Sequence, residues 1–303
     1  MAKAIPYNQV KIVERETVKF GDNTFDSFIS NKGGVELATM IALAGTSGAG
    51  KTTLCKKLQK DLKKGEKSIF YALESRKSSV ARQTERIKTG EDELICDVDD
   101  FPTWSAFMDY IHEEKPLMVV VDSLQHAAEL LSKENGKFKY DNYKVIIKDL
   151  YDWKDKNEGI AILIVQLNAN NQVEGPASTI FDVDVPIFLI ADDKTGERTL
   201  TTKKNRMGQI GTLNYEFVND DRHIKFYTQE EWLVTKDNID AVSFINKSIL
   251  NFMSAYKNNP NYSEFRKQVK KEYAKLNKLE DDVDVLVRFI PILDKLSQEI
   301  LFK

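Results

Sequence analysis

One stretch constrains this chain more than any other: Gly45-Thr46-Ser47-Gly48-Ala49-Gly50-Lys51-Thr52-Thr53, which follows an apolar run and precedes a segment with helical spacing. It satisfies GxxxxGK[ST] in the strand-then-helix context that the motif requires. The glycines let backbone N–H groups close around phosphate oxygens, and the helix N-terminus adds partial positive charge. Lys51 neutralises the β- and γ-phosphates, and the Thr52 hydroxyl is a Mg²⁺ ligand. Gly45 through Thr53 are therefore expected to hold ATP with Mg²⁺.

The surroundings repeat the same rhythm. From about Met40 to Tyr227, short runs rich in Val, Ile and Phe alternate with longer polar, helix-like segments, which predicts an α/β domain with a mainly parallel sheet. Strands are expected at Thr39–Ala44, Ser68–Leu73, Leu117–Val121, Ile160–Gln166 and Val185–Ile190. Thr199–Lys203, Leu213–Phe217 and Ile224–Tyr227 are short and closely spaced, and should form an antiparallel edge. Helical periodicity marks Thr52–Lys64, Ser78–Lys88, Trp104–Glu114 and Tyr143–Lys156. After about Thr235 strands vanish. Ile239–Tyr256, Ser263–Leu276 and Asp281–Phe302 place apolar residues at intervals of three and four, with Pro291 expected to interrupt the last. The expected division is a core over 1–235 with a short N-terminal extension, and a small all-helical appendage over 236–303.

With 303 residues, 42% hydrophobic and 30% charged, the chain can bury a large core, which excludes a disordered or fibrous protein. Its formal net charge of -3 means that any contact with nucleic acid comes from local patches. Cys55 and Cys96 are the two cysteines and lie far apart in sequence, so a disulfide framework and a four-cysteine zinc site are both excluded. Met1–Gly21 lacks the apolar run of a signal peptide, and no stretch approaches the length of a membrane span. A soluble protein of a reducing cytoplasm, a host's if the chain is virus-encoded, is the expectation.

Two acids are placed to work beside the phosphate loop. Leu117–Val121 is a fully apolar run that ends in Asp122, where a carboxylate could hold the Mg²⁺ water shell. A strand-terminating Asp that caps a turn would look the same. Phe70-Tyr71-Ala72-Leu73 ends in Glu74, the candidate general base that orients water, although a solvated Glu at a strand end is also common.

Taken in order, these segments resemble the RecA-like ATPases, within them the RadA-type recombination ATPases and DnaB-type replicative helicases, over roughly Phe20 to Phe217. Phe20–Asp26 resembles the family's entry segment, Ala72-Leu73-Glu74-Ser75 the stretch with its catalytic glutamate, and Asp122-Ser123-Leu124-Gln125 its Walker B continuation. Gln166-Leu167-Asn168 is similar to the DnaB-type motif whose glutamine senses the γ-phosphate. Lys204-Asn205-Arg206-Met207-Gly208 is similar to the RadA-type KNRFG motif, with Gly175-Pro176 preceding it. The cysteine cluster of the RadA type and the helical N-terminal domain of the DnaB type have no counterpart in these residues.

The resemblance implies a RecA-like core and catalytic roles for Lys51, Glu74, Asp122 and Gln166. It implies a homo-oligomeric ring or filament in which Lys204 and Arg206 act on a neighbour's nucleotide, and single-stranded DNA in a central channel; a basic, solvent-facing edge strand is the alternative for Lys204 and Arg206. The channel would be lined by loops at about Glu129–Asn142, with Lys133, Lys137, Lys139 and Tyr140, and at Asn168–Thr179. Solvated surface explains those lysines equally well, because Glu129, Glu134 and Asp141 dilute their charge. A KaiC-like switch or scaffold that performs no work on DNA is the alternative function. In the tail, Arg266, Lys267, Lys270, Lys271, Lys275 and Lys278 form a basic face. Val242, Ile245, Ile249 and Phe252, then Leu286, Phe289, Leu293 and Leu296, form apolar faces that must be buried, on one another or on a protein partner.

Overall fold

The computed structural model describes residues 14–87, 90–168, 170, 172–173, 177–192, 194–218, 223–236, 257–276, 291–293 and 295–301. Contacts divide the chain into one unit up to Thr228 and another from Gln229. In the first, β1 (Thr17–Val18), α1 (Asn23–Ile29) and β2 (Val35–Glu36) precede β3 (Met40–Gly45), α2 (Lys51–Lys60) and β4 (Ser68–Ala72). Then come α3 (Lys77–Thr84), β5 (Glu93–Asp97), α4 (Trp104–Glu114), β6 (Met118–Asp122), α5 (Leu124–Asn135), α6 (Lys139–Asn157) and β7 (Ile160–Gln166). β8 (Val185–Ala191), β9 (Arg198–Thr202), β10 (Gly211–Val218) and β11 (His223–Tyr227) complete the unit.

A nine-stranded sheet runs in the order β11-β10-β9-β8-β3-β7-β6-β4-β5. From β5 to β8 the neighbours are parallel, and β9, β10 and β11 add the antiparallel edge. β6 (MVVVD) is buried throughout, and β7 (IAILIVQ) is buried as far as Val165, because helices cover both faces of a parallel sheet. The two-residue period sorts β3. Met40, Ala42 and Ala44 join Trp104, Phe107, Ile146 and Trp153 in one cluster, while Ile41 and Leu43 join Leu54, Leu58, Tyr215 and Phe226 in the other. Fully burying each such Leu, Ile or Phe is worth about 1.5–3 kcal/mol.

β7 and β8 flank β3 on opposite sides although they follow each other in the chain. The sheet therefore opens a crevice at the carboxyl ends of β3 and β7, the usual ligand position in an open α/β sheet.

Two expectations need correction. Glu129–Asn142 is not a loop: it is the second half of α5, a link at 136–138, and the first turn of α6. Gly136, at φ +68°, closes α5 in the left-handed conformation that ends helices. The edge strand β5 also escaped the sequence reading, since its apolar run is only Leu94-Ile95-Cys96 between Glu93 and Asp97.

In the second unit, α7 (Gln229–Lys236) and α8 (Tyr262–Leu276) are helical, and Ser297–Leu301 forms a π-helical turn. Phe265 and Val269 are buried on α8, and Arg266, Lys267, Lys270 and Lys271 are exposed. Leu293 and Leu296 are half-buried. Val242, Ile245, Ile249, Phe252, Leu286, Phe289 and Lys278, and the side chain of Lys275, lie outside the described residues. No described helix is long and apolar enough to cross a membrane.

Candidate functional site

A cleft of about 690 Å³ opens at the carboxyl end of the sheet, and Lys51, Thr52, Glu74, Asp122, Gln166 and Arg198 are among its walls. The phosphate loop links β3 to α2, and its glycines are required by geometry. Gly50 lies at φ +88°, and a Cβ there would come within 2.3 Å of the Phe217 ring. A Cβ on Gly45 would come within 2.6 Å of the Leu189 carbonyl oxygen on β8. β10 fixes the loop from the other side, because the Tyr215 hydroxyl donates to the Ala49 carbonyl.

Thr46, Ser47, Gly48 and Thr53 complete the loop, and Ser47, Gly48 and Thr53 face the cleft. Lys51 folds back along the loop, its Nζ donating to the carbonyls of Gly45 at 2.8 Å and Thr46 at 2.9 Å. Burial lowers its pKa, while the nearby Asp122 and Glu74 carboxylates raise it.

β6 and β4 are neighbours, with Ala72 opposite Asp122, so both acids arrive at the same end of the sheet. The backbone N–H of Glu74 donates to the Asp122 carbonyl at 2.9 Å. Thr52 Oγ1 donates to Asp122 Oδ2 at 3.1 Å, and Asp122 Oδ1 is buried without a hydrogen-bond partner. A hydroxyl and a carboxylate with a free oxygen, side by side, suit Mg²⁺, which binds through one or two protein oxygens and keeps water and phosphate for the rest. Among the described residues no cluster of three or more His, Cys, Asp or Glu could hold a metal.

Burial, and next the charge of Glu74, push the Asp122 carboxyl up to about 6. The folded carboxyl thus keeps a proton that the unfolded chain releases between about pH 4 and pH 6. This contribution to stability is complete below about pH 4 and is lost as the pH rises through about 6. Asp122→Asn should therefore stabilise the ligand-free protein at pH 7 by about 1–3 kcal/mol, with the gain vanishing near pH 4. Urea midpoints at the two pH values measure it, and a lower midpoint for the variant at pH 7 would contradict the account.

Gln166 ends β7 in the cleft wall, where Gln125 brackets its backbone: Gln125 Nε2 donates to its carbonyl and its N–H donates to Gln125 Oε1, both at 3.3 Å. Gln125 is thus a positioning residue within Asp122-Ser123-Leu124-Gln125. Two further wall residues were not found by sequence reasoning. Phe217 packs over Gly50, and the Arg198 guanidinium lies 5.3 Å above the Phe217 ring. Neither belongs to a contiguous motif, and only strand pairing brings them to the loop.

Lys204 and Arg206 lie elsewhere. β9 ends at Thr202 and is an internal strand, so the pair sits on a loop rather than on an edge strand. Asn205 shapes that loop, its Nδ2 donating to the Ile29 carbonyl at 3.0 Å and its Oδ1 accepting from the N–H groups of Met207 at 2.9 Å and Gly208 at 3.0 Å. Gly208 is packed so closely that a Cβ would come within 2.6 Å of the Ile29 carbonyl oxygen. Lys204 Nζ donates to the Phe181 and Val183 carbonyls, and Arg206 Nη1 donates to Asp184 Oδ1 at 3.3 Å. Asp184 precedes β8, whereas Leu189 of β8 pairs with Gly45. At about 3.3 Å per residue, the anchor of Arg206 lies about 17 Å along the sheet from the start of its own phosphate loop. Gly175 and Pro176, with 169, 171 and 174 of the second proposed channel segment, lie outside the described residues.

Comparison with known proteins agrees with this geometry. A family profile described as "ATPase: KaiC" matches residues 18–97. The chain is 24% identical over 216 residues to the DNA repair protein RadA of Escherichia coli K12, covering 70% of this chain and 45% of that protein. It is also 24% identical over 203 residues to the DNA repair protein RadA of Aquifex aeolicus, covering 66% and 44%. The chain thus spans under half the length of these curated relatives. The crystal structure of a KaiC-like protein from Pyrococcus horikoshii OT3 superposes with a TM-score of 0.58 at 20% identity, covering 71% of this chain and all of that one.

Proposed function

We propose, from a core that has the RecA-like P-loop ATPase fold, that this protein hydrolyses ATP at sites shared between copies of itself and applies the hydrolysis to DNA. The carrying observation is a divided site. Lys51, Thr52, Glu74, Asp122 and Gln166 converge on one cleft, while Arg206 projects from the far end of the same sheet, beside Lys204 anchored on backbone carbonyls. Thr52 and Asp122 would hold Mg²⁺, which when bound would supply positive charge against the phosphates. Lys51 clamps the transferred phosphoryl group, Glu74 accepts a proton from the attacking water, and Gln166, at the end of β7, senses the γ-phosphate. Arg206 supplies transition-state charge to a neighbouring copy.

Support for DNA comes from the RadA relatives and from the tip of the α5–α6 hairpin. There Phe138 is 85% exposed and Tyr140 51% exposed, beside exposed Lys133 and Lys137. Lys139 is tied to Glu129 at 2.8 Å. Aromatics for stacking among cations for phosphate suit a single strand. Replacing Lys133, Lys137 and Lys139 with Ala should weaken single-stranded DNA binding and reduce the slope of log affinity against log salt by about 0.7 per lost phosphate contact, near 1.4 if only the two unpaired lysines count. Phe138→Ala should weaken binding by about 1–3 kcal/mol and leave that slope unchanged. Unaltered binding in both variants would remove the hairpin from the DNA site.

The KaiC match favours a second reading, an ATP-driven switch or scaffold. ATPase rates with and without single-stranded DNA separate the two: stimulation supports the DNA motor, and an assembled enzyme indifferent to DNA supports the switch. The unit from Gln229 on is proposed as a helical platform for a protein partner.

A further inference from the structure

Asp184 stands just before β8, is 6% exposed, and gathers four donors around one carboxylate. Oδ2 accepts from the N–H of Met40, the first residue of β3, at 2.9 Å, and Lys154 Nζ lies 3.5 Å away. Oδ1 accepts from the Tyr151 hydroxyl of α6 at 3.0 Å and from Arg206 Nη1 at 3.3 Å. The Arg206 backbone N–H also donates to the Asp184 carbonyl at 3.3 Å. A buried carboxylate is tolerable only with such partners. Arg206 itself is unlike them, since its side chain is 54% exposed. It is held by Asp184 at one guanidinium nitrogen while more than half of its side chain stays open to solvent.

We infer that Asp184 is a positioning residue for the reaction in the neighbouring copy: it sets where Arg206 projects. This rests on the reading that Arg206 acts in trans. An exposed arginine on a loop gives up rotamer freedom whenever it engages a ligand, and a grip at its root removes part of that cost beforehand. The same carboxylate holds the first residue of β3, whose other end carries the phosphate loop. The outgoing finger and the subunit's own loop strand therefore share one anchor. Asp184→Asn separates these ties, because an amide oxygen can still accept from Met40 N while an NH₂ group then faces Arg206 and Tyr151.

Mixing two inactive chains tests this. Lys51→Ala keeps the finger and lacks the loop lysine, and Arg206→Ala keeps the loop and lacks the finger. Activity regained on mixing is the reference, and its absence would mark failure of the trans reading itself. When Asp184→Asn is added to the Lys51→Ala chain, which donates the finger, the regained activity should fall about tenfold or more, as misplacement by an ångström can cost about 10²-fold. Added to the Arg206→Ala chain, which donates the loop, it should leave the regained activity within about twofold and the KM for ATP unchanged. Equal losses in both placements would make Asp184 merely structural, no loss in either would leave it without a role, and a gain in the first would make it a restraint. Each of these overturns the proposal. Should Asp184→Asn fail to fold, Tyr151→Phe removes a donor that orients Oδ1, and a loss of about threefold confined to the finger-donating chain is expected. A loss in both placements or in neither overturns the proposal in the same way.

Discussion

Lys51→Ala is expected to lower ATP turnover by at least about 10²–10³-fold, the range for removing one preorganised charge or donor from a transition state. Lys51 carries this weight because it lines the cleft with its ammonium held within 2.9 Å of the Gly45 and Thr46 carbonyls. Phosphate release at saturating ATP measures the effect. Near-parental turnover would show that Gly45–Thr53 is not the catalytic loop.

Arg206→Ala should cost as much or more, on the order of 10³-fold in turnover, with ATP affinity almost unchanged. Affinity survives because Lys51, Thr52 and the loop backbone are untouched, and because Arg206 sits at the opposite end of β8 from Leu189, the strand partner of Gly45. Calorimetric titration with a slowly hydrolysed ATP analogue, alongside steady-state turnover, separates binding from catalysis. A drop in affinity as large as the drop in turnover would contradict a role confined to the transition state.

These expectations differ in how they could be read from the chain. The phosphate loop was legible outright, because its glycines, lysine and hydroxyl are contiguous and lie between two strongly periodic segments. Asp122 and Glu74 were legible as ends of apolar runs, but their proximity depends on β4 pairing with β6. Arg198 and Phe217 were not legible at all, since each is one residue of an antiparallel strand folded onto the loop by β9 and β10. The α5–α6 hairpin departs from the expected loop for a different reason. Lysines, glutamates and Gly136 look like loop chemistry, whereas Leu124, Ala127, Ala128 and Leu131 bury the other face of a regular helix. In Lys204–Gly208 the motif was visible but its division of labour was not. Asn205 and Gly208 dock the loop on α1, Lys204 is anchored on backbone carbonyls, and Arg206 is the exposed member.

If a second copy completes the hydrolytic site, the rate per chain depends on protein concentration. A lone chain holds Lys51, Thr52, Glu74 and Asp122 in its cleft, with its own Arg206 anchored about 17 Å along the sheet from Gly45. ATPase activity and sedimentation should be followed in the same samples, from dilute single chains to assemblies. Turnover per chain should rise with the assembled fraction and level off when assembly is complete. A rate per chain that stays constant while sedimentation records the passage from single chains to assemblies would rule out a site shared between copies.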